Sequence, residues 1–165
     1  MTPETYTFED DGGIPNSPLP VLVYRQALAA DAGAAAYENL FADNGWLGAW
    51  RDGIFPFHHF HSTAHEVLGI SAGTANVMLG GPQGRTFELG AGDVVVLPAG
   101  TGHRNLGSGA DLLVVGAYPN GMCWDLRRGD PAEHDEALAN IARVPLPDQD
   151  PVGGALGELW HNRGA

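Results

Sequence analysis

The sequence predicts one all-β domain, an antiparallel sandwich or barrel, with a short helix before the β-rich region and another after it. Between residues 46 and 118, short runs of β-forming residues alternate with turn residues at the spacing typical of antiparallel sheets. The chain has 24 glycines and 12 prolines, which suits short elements joined by tight turns. Its 165 residues, 1–165, suffice for a single domain with a sizeable core.

The charge of the chain excludes several classes of function. All 8 basic residues are arginine, and the formal net charge is −12. A surface of this sign repels a polyanion, so we expect no nucleic-acid partner. Because lysine is absent, Schiff-base catalysis and a P-loop are excluded as well.

The sequence also predicts a cytoplasmic protein with no membrane partner. Cys123 is the single cysteine, so no internal disulfide can form, which is usual in a reducing compartment. The opening "MTPETYTFEDDGG" lacks the basic and apolar regions of a signal peptide. No stretch approaches the ~18 apolar residues that a membrane span needs.

The elements before the β-rich region are an arm, a strand and a helix. Residues 1–20 are polar and proline-rich and predict an N-terminal arm, and "VLVYR" (21–25) predicts a first strand at a sheet edge. Asp31 is the expected N-cap of a helix over "AGAAAYENLFADNG", which Asn44 and Gly45 would end.

The β-rich region, 46–118, is expected to form the core of the barrel. The runs that predict its strands are "WLGAWR", "IFPFHHFH", "EVLGIS", "ANVMLG", "RTFEL", "DVVVLP", "HRNL" and "DLLVVGAY". After it, Asp130 as cap, Pro131 at the first helical position and Glu133 predict a helix over 131–143. The remaining tail, 145–165, is expected to wrap the surface.

Four of the seven histidines lie in the stretch "HHFHSTAHE", residues 58–66. If this stretch begins as a strand, His59 and His61 point to one face while His58 points to the other. Glu66 opens the next strand, where hairpin pairing could bring its carboxylate beside the two rings. This pattern indicates a metal site, against the alternative of a pH-sensitive or packed surface patch.

A fourth ligand must come from elsewhere in the chain. His103 follows the turn "PAGTG" and is the best candidate, because it is the only other histidine in the β-rich region. Three imidazoles and a carboxylate suit Fe(II), Mn, Co, Ni, Cu or Zn. His58 and His65 are expected to pack or to support the site, and His134 and His161 are given no role.

The spacing of these residues resembles two sequence motifs of the cupin family. The first spans residues 53–73 and comprises Gly53, His59, His61, Glu66 and Gly73. The second spans residues 92–105 and includes Gly92, the turn "PAG" and His103. Where the family often has an asparagine four residues after this histidine, the chain has Gly107, and Asn105 stands two residues earlier. The flanking segments resemble the single-domain bacterial YjlB-like branch.

The resemblance implies a fold and a cofactor. It implies a cupin-type jelly-roll β-barrel of about six to eight strands, with the metal held inside its mouth. One divalent transition metal per chain is expected, iron above the other candidates. Because cupins commonly pair by strand exchange, the arm and edge strand also predict a homodimer.

Alternation along the strands gives candidates for the pocket. Arg51 is a candidate catalytic residue as an anchor for an acidic substrate, against the alternative of a plain surface or dimer salt bridge. Tyr118, at the end of the strand after the second motif, is another candidate. Asn76, Met78 and Asn105 are candidates for the substrate pocket. Trp50 and Trp124 could wall the mouth, but buried packing is the expected role of each.

A small organic molecule is the expected substrate or ligand. We expect a metal-dependent enzyme. The leading hypothesis is an Fe(II) dioxygenase, and the next is an isomerase or decarboxylase. The alternative is a non-catalytic module, in which the metal is structural or displays a bound metabolite. A scarcity of acid–base groups near the four ligands favours that alternative.

Overall fold

Nine strands form two antiparallel sheets in the computed structural model, which describes residues 1–160. The strands are β1 (Glu4–Tyr6), β2 (Val21–Tyr24), β3 (Trp46–Asp52), β4 (Glu66–Ala72), β5 (Thr74–Leu79), β6 (Arg85–Gly90), β7 (Val94–Leu97), β8 (His103–Ser108) and β9 (Leu113–Pro119). The larger sheet has the order β1-β2-β7-β4-β9-β3, and the smaller has the order β6-β5-β8. The all-β jelly roll is confirmed, built from two sheets rather than one closed barrel.

The main core lies between the two sheets. Leu68 and Ile70 of β4 point inward from the larger sheet and join Val77 and Leu79 of β5 in one buried cluster. The other face of the larger sheet is covered as well, so β7 is buried along its whole length. A strand covered on both faces has no polar side, which explains the unbroken "VVVL" of β7.

Helix α1 (Ala34–Asp43) covers the outer face of the larger sheet. The prediction of Asp31 as its N-cap is wrong, because the chain first makes a turn in which the Ala32 N–H donates to the Ala29 carbonyl. Gly33, at φ 86°, takes the cap position instead. The predicted stop is confirmed: Asn44 is the C-cap, and Gly45 follows at φ 81°.

Helix α2 (His134–Arg143) follows a single 3₁₀ turn, Pro131–Glu133. As predicted, the Asp130 side chain caps the start and accepts a hydrogen bond from the Ala132 N–H at 2.9 Å. The predicted range 131–143 therefore matches the turn and helix together.

The two ends of the chain cover the larger sheet. The arm contains β1, which pairs with β2 on the outside, so the prediction that residues 21–25 form an edge strand is wrong. Near the other end, Trp160 is buried and its Nε1 donates to the Pro20 carbonyl at 2.8 Å. His161 lies outside the described residues. Among residues 1–160, neither helix has the length and apolar character required to cross a membrane.

Candidate metal centre

His59, His61 and His103 converge at the mouth of the jelly roll. All three are buried, and each offers a ring nitrogen within 4.8 Å of the other two. His59 and His103 are held opposite each other by backbone hydrogen bonds, 2.9 Å from the His103 N–H and 3.2 Å from the His59 N–H. The sequence therefore identified three side chains that the fold brings together.

The segment that carries His59 and His61 is not the continuous strand predicted for "IFPFHHFH". It makes only isolated bridges, His59 with His103 and Phe60 with Arg127, within the described chain. Pro56 has no N–H with which to extend the pairing. The alternation still holds locally, because Phe60 packs away from the site, in a cluster with Ile14 and Ala137.

Each of the three rings is oriented by a backbone carbonyl. Nδ1 of His59 donates to the Phe57 carbonyl at 2.9 Å, and Nδ1 of His103 donates to the Thr101 carbonyl at 3.1 Å. Nδ1 of His61 donates to the carbonyl of Asp125. With its proton on Nδ1, each ring keeps a lone pair on Nε2, the atom that can bind a metal ion.

Glu66 completes the donor set from the opposite sheet. It is the first residue of β4, in the larger sheet, whereas the segment of His59 bridges to His103 of β8, in the smaller sheet. The carboxylate therefore reaches the rings from the facing sheet and not through the predicted hairpin. Its Oε1 lies 3.4 Å from Nε2 of His61 and 3.4 Å from Nε2 of His103. Ligands about 2.1 Å from one ion lie roughly 3.0–3.4 Å apart at angles of 90–110°, so these two distances are compatible with a cation shared by Glu66, His61 and His103.

The electrostatics of the site match this fit. Burial, with the neighbouring His103, lowers the pKa of His59 to about 3, so its ring is neutral. Burial raises the pKa of Glu66, but hydrogen bonding from His103 and His61 outweighs it and the pKa falls. Burial lowers the pKa of His61, but the Glu66 carboxylate outweighs it, and the pKa rises. The Glu66 carboxylate favours a proton on the adjacent His61 ring, and a cation bound between the two side chains would replace that proton.

Asp125 holds the His61 segment, and the sequence analysis did not identify it. Its carboxylate accepts hydrogen bonds from the Ser62 N–H at 2.6 Å and from Nε of Arg127 at 2.8 Å. Arg127 also pairs with Glu133 at 3.1 Å and with Glu136 at 3.0 Å. The segment after β9 thereby connects the His61 side chain to α2. In the sequence, the only indication of this role is that an aspartate stands close to Arg127 and Arg128, 64 residues after His61.

A cavity of about 530 Å³ opens over the four side chains. Its walls are mainly apolar and aromatic: Trp50, Ile54, Phe55, Leu68, Tyr118 and Trp124. Both tryptophans line the mouth. The expectation of buried packing is wrong for Trp124, which is 50% exposed, whereas Trp50 is partly buried and packs against the core. Nε1 of Trp50 donates to the Tyr118 hydroxyl at 2.8 Å.

The structure brings two of the five remaining predicted site residues to this cavity. Tyr118 and Arg51 both line it. The Arg51 guanidinium, however, is paired with Glu38 of α1, at 2.6 Å and 3.1 Å. The Glu38 carboxylate therefore already balances the charge that Arg51 would offer to an acidic substrate.

Asn76, Met78 and Asn105 lie outside the cavity, which corrects their prediction as pocket residues. The inward face of β5 carries Ala75 and Val77, so Asn76 and Met78 point outward. Asn105 is used in a local turn, where it donates to Ser108 Oγ at 3.1 Å and accepts from the Gly107 N–H at 2.9 Å.

The other histidines of the cluster point away from the centre. Nδ1 of His65 accepts from the Ala99 N–H at 2.9 Å, and Nε2 donates to the Pro145 carbonyl at 3.2 Å. Its ring packs on Trp160, with 4.8 Å between the ring centroids. Nδ1 of His58 is buried without a hydrogen-bond partner in the described chain.

No family model matches the chain. The uncharacterized protein YjlB of Bacillus subtilis (strain 168) is 43% identical over 161 residues, which cover 95% of this chain and 96% of that one.

Solved structures give weaker likenesses. Acireductone dioxygenase from Bacillus anthracis, with a cadmium ion in its active centre, has a TM-score of 0.45 at 18% identity, over 59% of this chain and 77% of that chain. A variant of oxalate decarboxylase from Bacillus subtilis has a TM-score of 0.41 at 18% identity, over 70% of this chain but only 29% of its own. On the YjlB match, the chain belongs to the YjlB family.

Proposed function

We propose that the chain is a metal-dependent enzyme, an Fe(II) dioxygenase, that acts on a small organic molecule held in the cavity. The observation that carries this proposal is the convergence of three imidazole nitrogens and the Glu66 carboxylate at the floor of a 530 Å³ cavity. When bound there, a redox-active divalent ion supplies coordination positions and electrons for a reaction between dioxygen and a substrate.

The protein's own residues hold the ion and keep the reaction away from water. His59, His61 and His103 present Nε2, and Glu66 supplies one negative charge toward the dication. Mn, Co, Ni, Cu and Zn suit the same donors. Leu68 and Ile54 exclude water from the side of the cavity that faces the core.

Tyr118 is proposed as the residue that donates a hydrogen bond to the substrate. Its oxygen accepts from Trp50, so its own proton points to another acceptor, either the Glu66 carboxylate or a substrate oxygen beside it. Burial, together with the Glu66 charge, raises the pKa of Tyr118 well above its usual value. The hydroxyl therefore remains protonated at neutral pH and acts as a donor, not a base.

The test begins with metal analysis of the purified protein. The Fe(II)-loaded protein is then assayed for oxygen uptake with a panel of small diols, thiols, ketones and carboxylic acids. We expect uptake with at least one compound, abolished in His59→Ala and retained in the matched variant His58→Ala, whose ring faces away. Tight zinc binding without turnover of any compound would contradict the enzyme proposal.

A second candidate function is a non-catalytic metal- or metabolite-binding cupin. What favours it is the scarcity of acid–base groups: besides the four ligands, the described cavity lining offers only Tyr118, Asp52 and the paired Arg51. In that case chelation lowers the melting temperature but removes no activity. Isomerase or decarboxylase chemistry is the third candidate and would show as substrate loss without oxygen uptake.

Two further proposals concern the state of the protein in the cell. The single cysteine, Cys123, is exposed and free, which supports a cytoplasmic location. Strand β1 lies at the edge of the larger sheet, which supports a homodimer formed through that edge. Light scattering with and without residues 1–8 tests the dimer, since loss of β1 would then leave a monomer.

A further inference from the structure

The charges around the cavity indicate which substrates it can accept. Arg51 is the one cationic side chain among the described lining residues, and the Glu38 carboxylate occupies its guanidinium in a two-bonded pair. Asp52, also in the lining, adds a negative charge. An anionic group on the part of a substrate remote from the ion therefore meets a cation whose charge Glu38 already balances.

The wall that this remote part would touch is flat and aromatic. The Trp50 indole lies directly over Gly116, where a Cβ atom would come within 2.1 Å of the ring. Its only polar atom, Nε1, is used by Tyr118. Trp50 thus offers the cavity a face without a polar group, and Trp124 offers a second aromatic surface at the entrance. Such surfaces bind planar apolar groups.

Polar recognition is confined to the floor. Four protein ligands leave one or two coordination positions on an ion of coordination number five or six. The Tyr118 hydroxyl, whose oxygen accepts from Trp50, can donate its proton to an oxygen atom at the same place. A ligand with two adjacent oxygen atoms could satisfy both the open positions and this donor.

We propose that the cavity takes an uncharged planar ring compound bearing two adjacent oxygen atoms, and that the Glu38–Arg51 ion pair disfavours carboxylated rings of the same shape. This inference rests on the proposed function, because the adjacent oxygens need an ion to chelate. Glu38 lies outside the cavity lining and acts on selectivity through Arg51, not by contact with the ligand.

The test uses the Co(II)-loaded protein, in which ligand binding is followed by visible absorption and by calorimetry without redox turnover. Catechol and 3,4-dihydroxybenzoate form a matched pair that differs by one carboxylate. We expect catechol to bind at least about tenfold more tightly, since one unpaired charge near a low-dielectric wall costs on the order of this factor.

Variants then separate the two parts of the proposal. Glu38→Gln releases Arg51 and should tighten 3,4-dihydroxybenzoate about three- to fivefold, the size expected of an exposed ion pair, with catechol unchanged. Trp124→Ala should weaken catechol about tenfold without loss of cobalt. Leu47→Ala, on a residue that is also exposed but outside the lining, should change neither.

The outcomes distinguish this inference from the proposed function. A protein that retains no metal ion would overturn both. A protein that retains cobalt but binds the carboxylated ring as well as catechol would overturn only the substrate class. If that tight binding were then lost in Arg51→Gln, Arg51 would instead be an anchor for carboxylates.

Discussion

The backbone carbonyl of Asp125 accepts a hydrogen bond from Nδ1 of His61, while the carboxylate of the same residue accepts one from the N–H of Ser62, the next residue after His61. Asp125 thus holds both the ring of a metal ligand and the backbone that carries it. Arg127 ties the Asp125 carboxylate to the acidic start of α2.

Substitution of Asp125 should therefore weaken metal binding. We expect Asp125→Ala to raise the dissociation constant about tenfold or more, because groups that orient a metal ligand typically contribute this much. Asp125→Asn retains an acceptor for the Ser62 N–H and should lose less. Competition with a chromophoric chelator measures the affinity, and equal affinities for all three proteins would contradict the role given to Asp125.

Tyr118→Phe should reduce catalysis without loss of the metal. The variant keeps the ring but has no proton to donate, so we expect kcat to fall about tenfold or more while KM changes little. Metal content, measured in parallel, should equal that of the unsubstituted protein.

The same substitution leaves Nε1 of Trp50 without its acceptor. We expect a loss of about 1 kcal/mol in the free energy of unfolding, because this partly buried donor loses its acceptor. Trp50→Phe combined with Tyr118→Phe removes both partners and should recover part of that loss. Urea denaturation of the two single variants and the double variant tests this, and strict additivity would exclude a coupled pair.

The burial of His65 makes stability depend on pH. Burial lowers the pKa of His65 to about 4, below the ordinary 6.5 of an exposed ring, so the unfolded chain binds the proton more readily. The stabilisation is complete above pH 6.5 and is lost as the pH falls toward 4, by up to about 3 kcal/mol. Urea unfolding of the unsubstituted protein and of His65→Gln should diverge less at pH 4.5 than at pH 7, whereas a constant difference would contradict the titration.

Gly116 sets the position of the Trp50 indole. A methyl group at residue 116 would come within 2.1 Å of that ring and force it toward the cavity. We expect Gly116→Ala to lower the free energy of unfolding by about 1–3 kcal/mol and to weaken ligand binding. Gly107→Ala, in open space, is the matched control and should unfold like the parent protein. Urea unfolding and tryptophan fluorescence measure the two effects.

Features that depend on residues close together in the sequence were predicted better than features that depend on residues far apart along the chain. The convergence of three histidines was predictable because His59 and His61 alternate within three residues and His103 follows a recognisable turn. Their role as metal ligands stays a prediction. The strand ends were visible for a similar local reason, since Gly73 and Gly92 adopt positive φ where the chain must turn.

The failures came from relationships that a local pattern does not contain. The prediction that Asn76 and Met78 of β5 line the pocket chose the wrong face of the strand. The apolar Ala75, Val77 and Leu79 alternate with them and already marked the buried face. The pairing of Arg51 with Glu38 joins a strand to a helix, and the contact of Asp125 with His61 spans 64 residues. Neither follows from spacing along the chain.

All three ligand histidines are oriented by main-chain oxygen atoms rather than by side chains. Every amino acid carries such an oxygen, so exchanging Phe57, Thr101 or Asp125 for another residue type does not delete the acceptor itself. Substitutions among the aromatic residues of the mouth can therefore change which molecules enter the cavity while the imidazoles keep their orientation. Such an arrangement allows substrate selectivity to change during evolution while the proposed cation-binding residues stay the same.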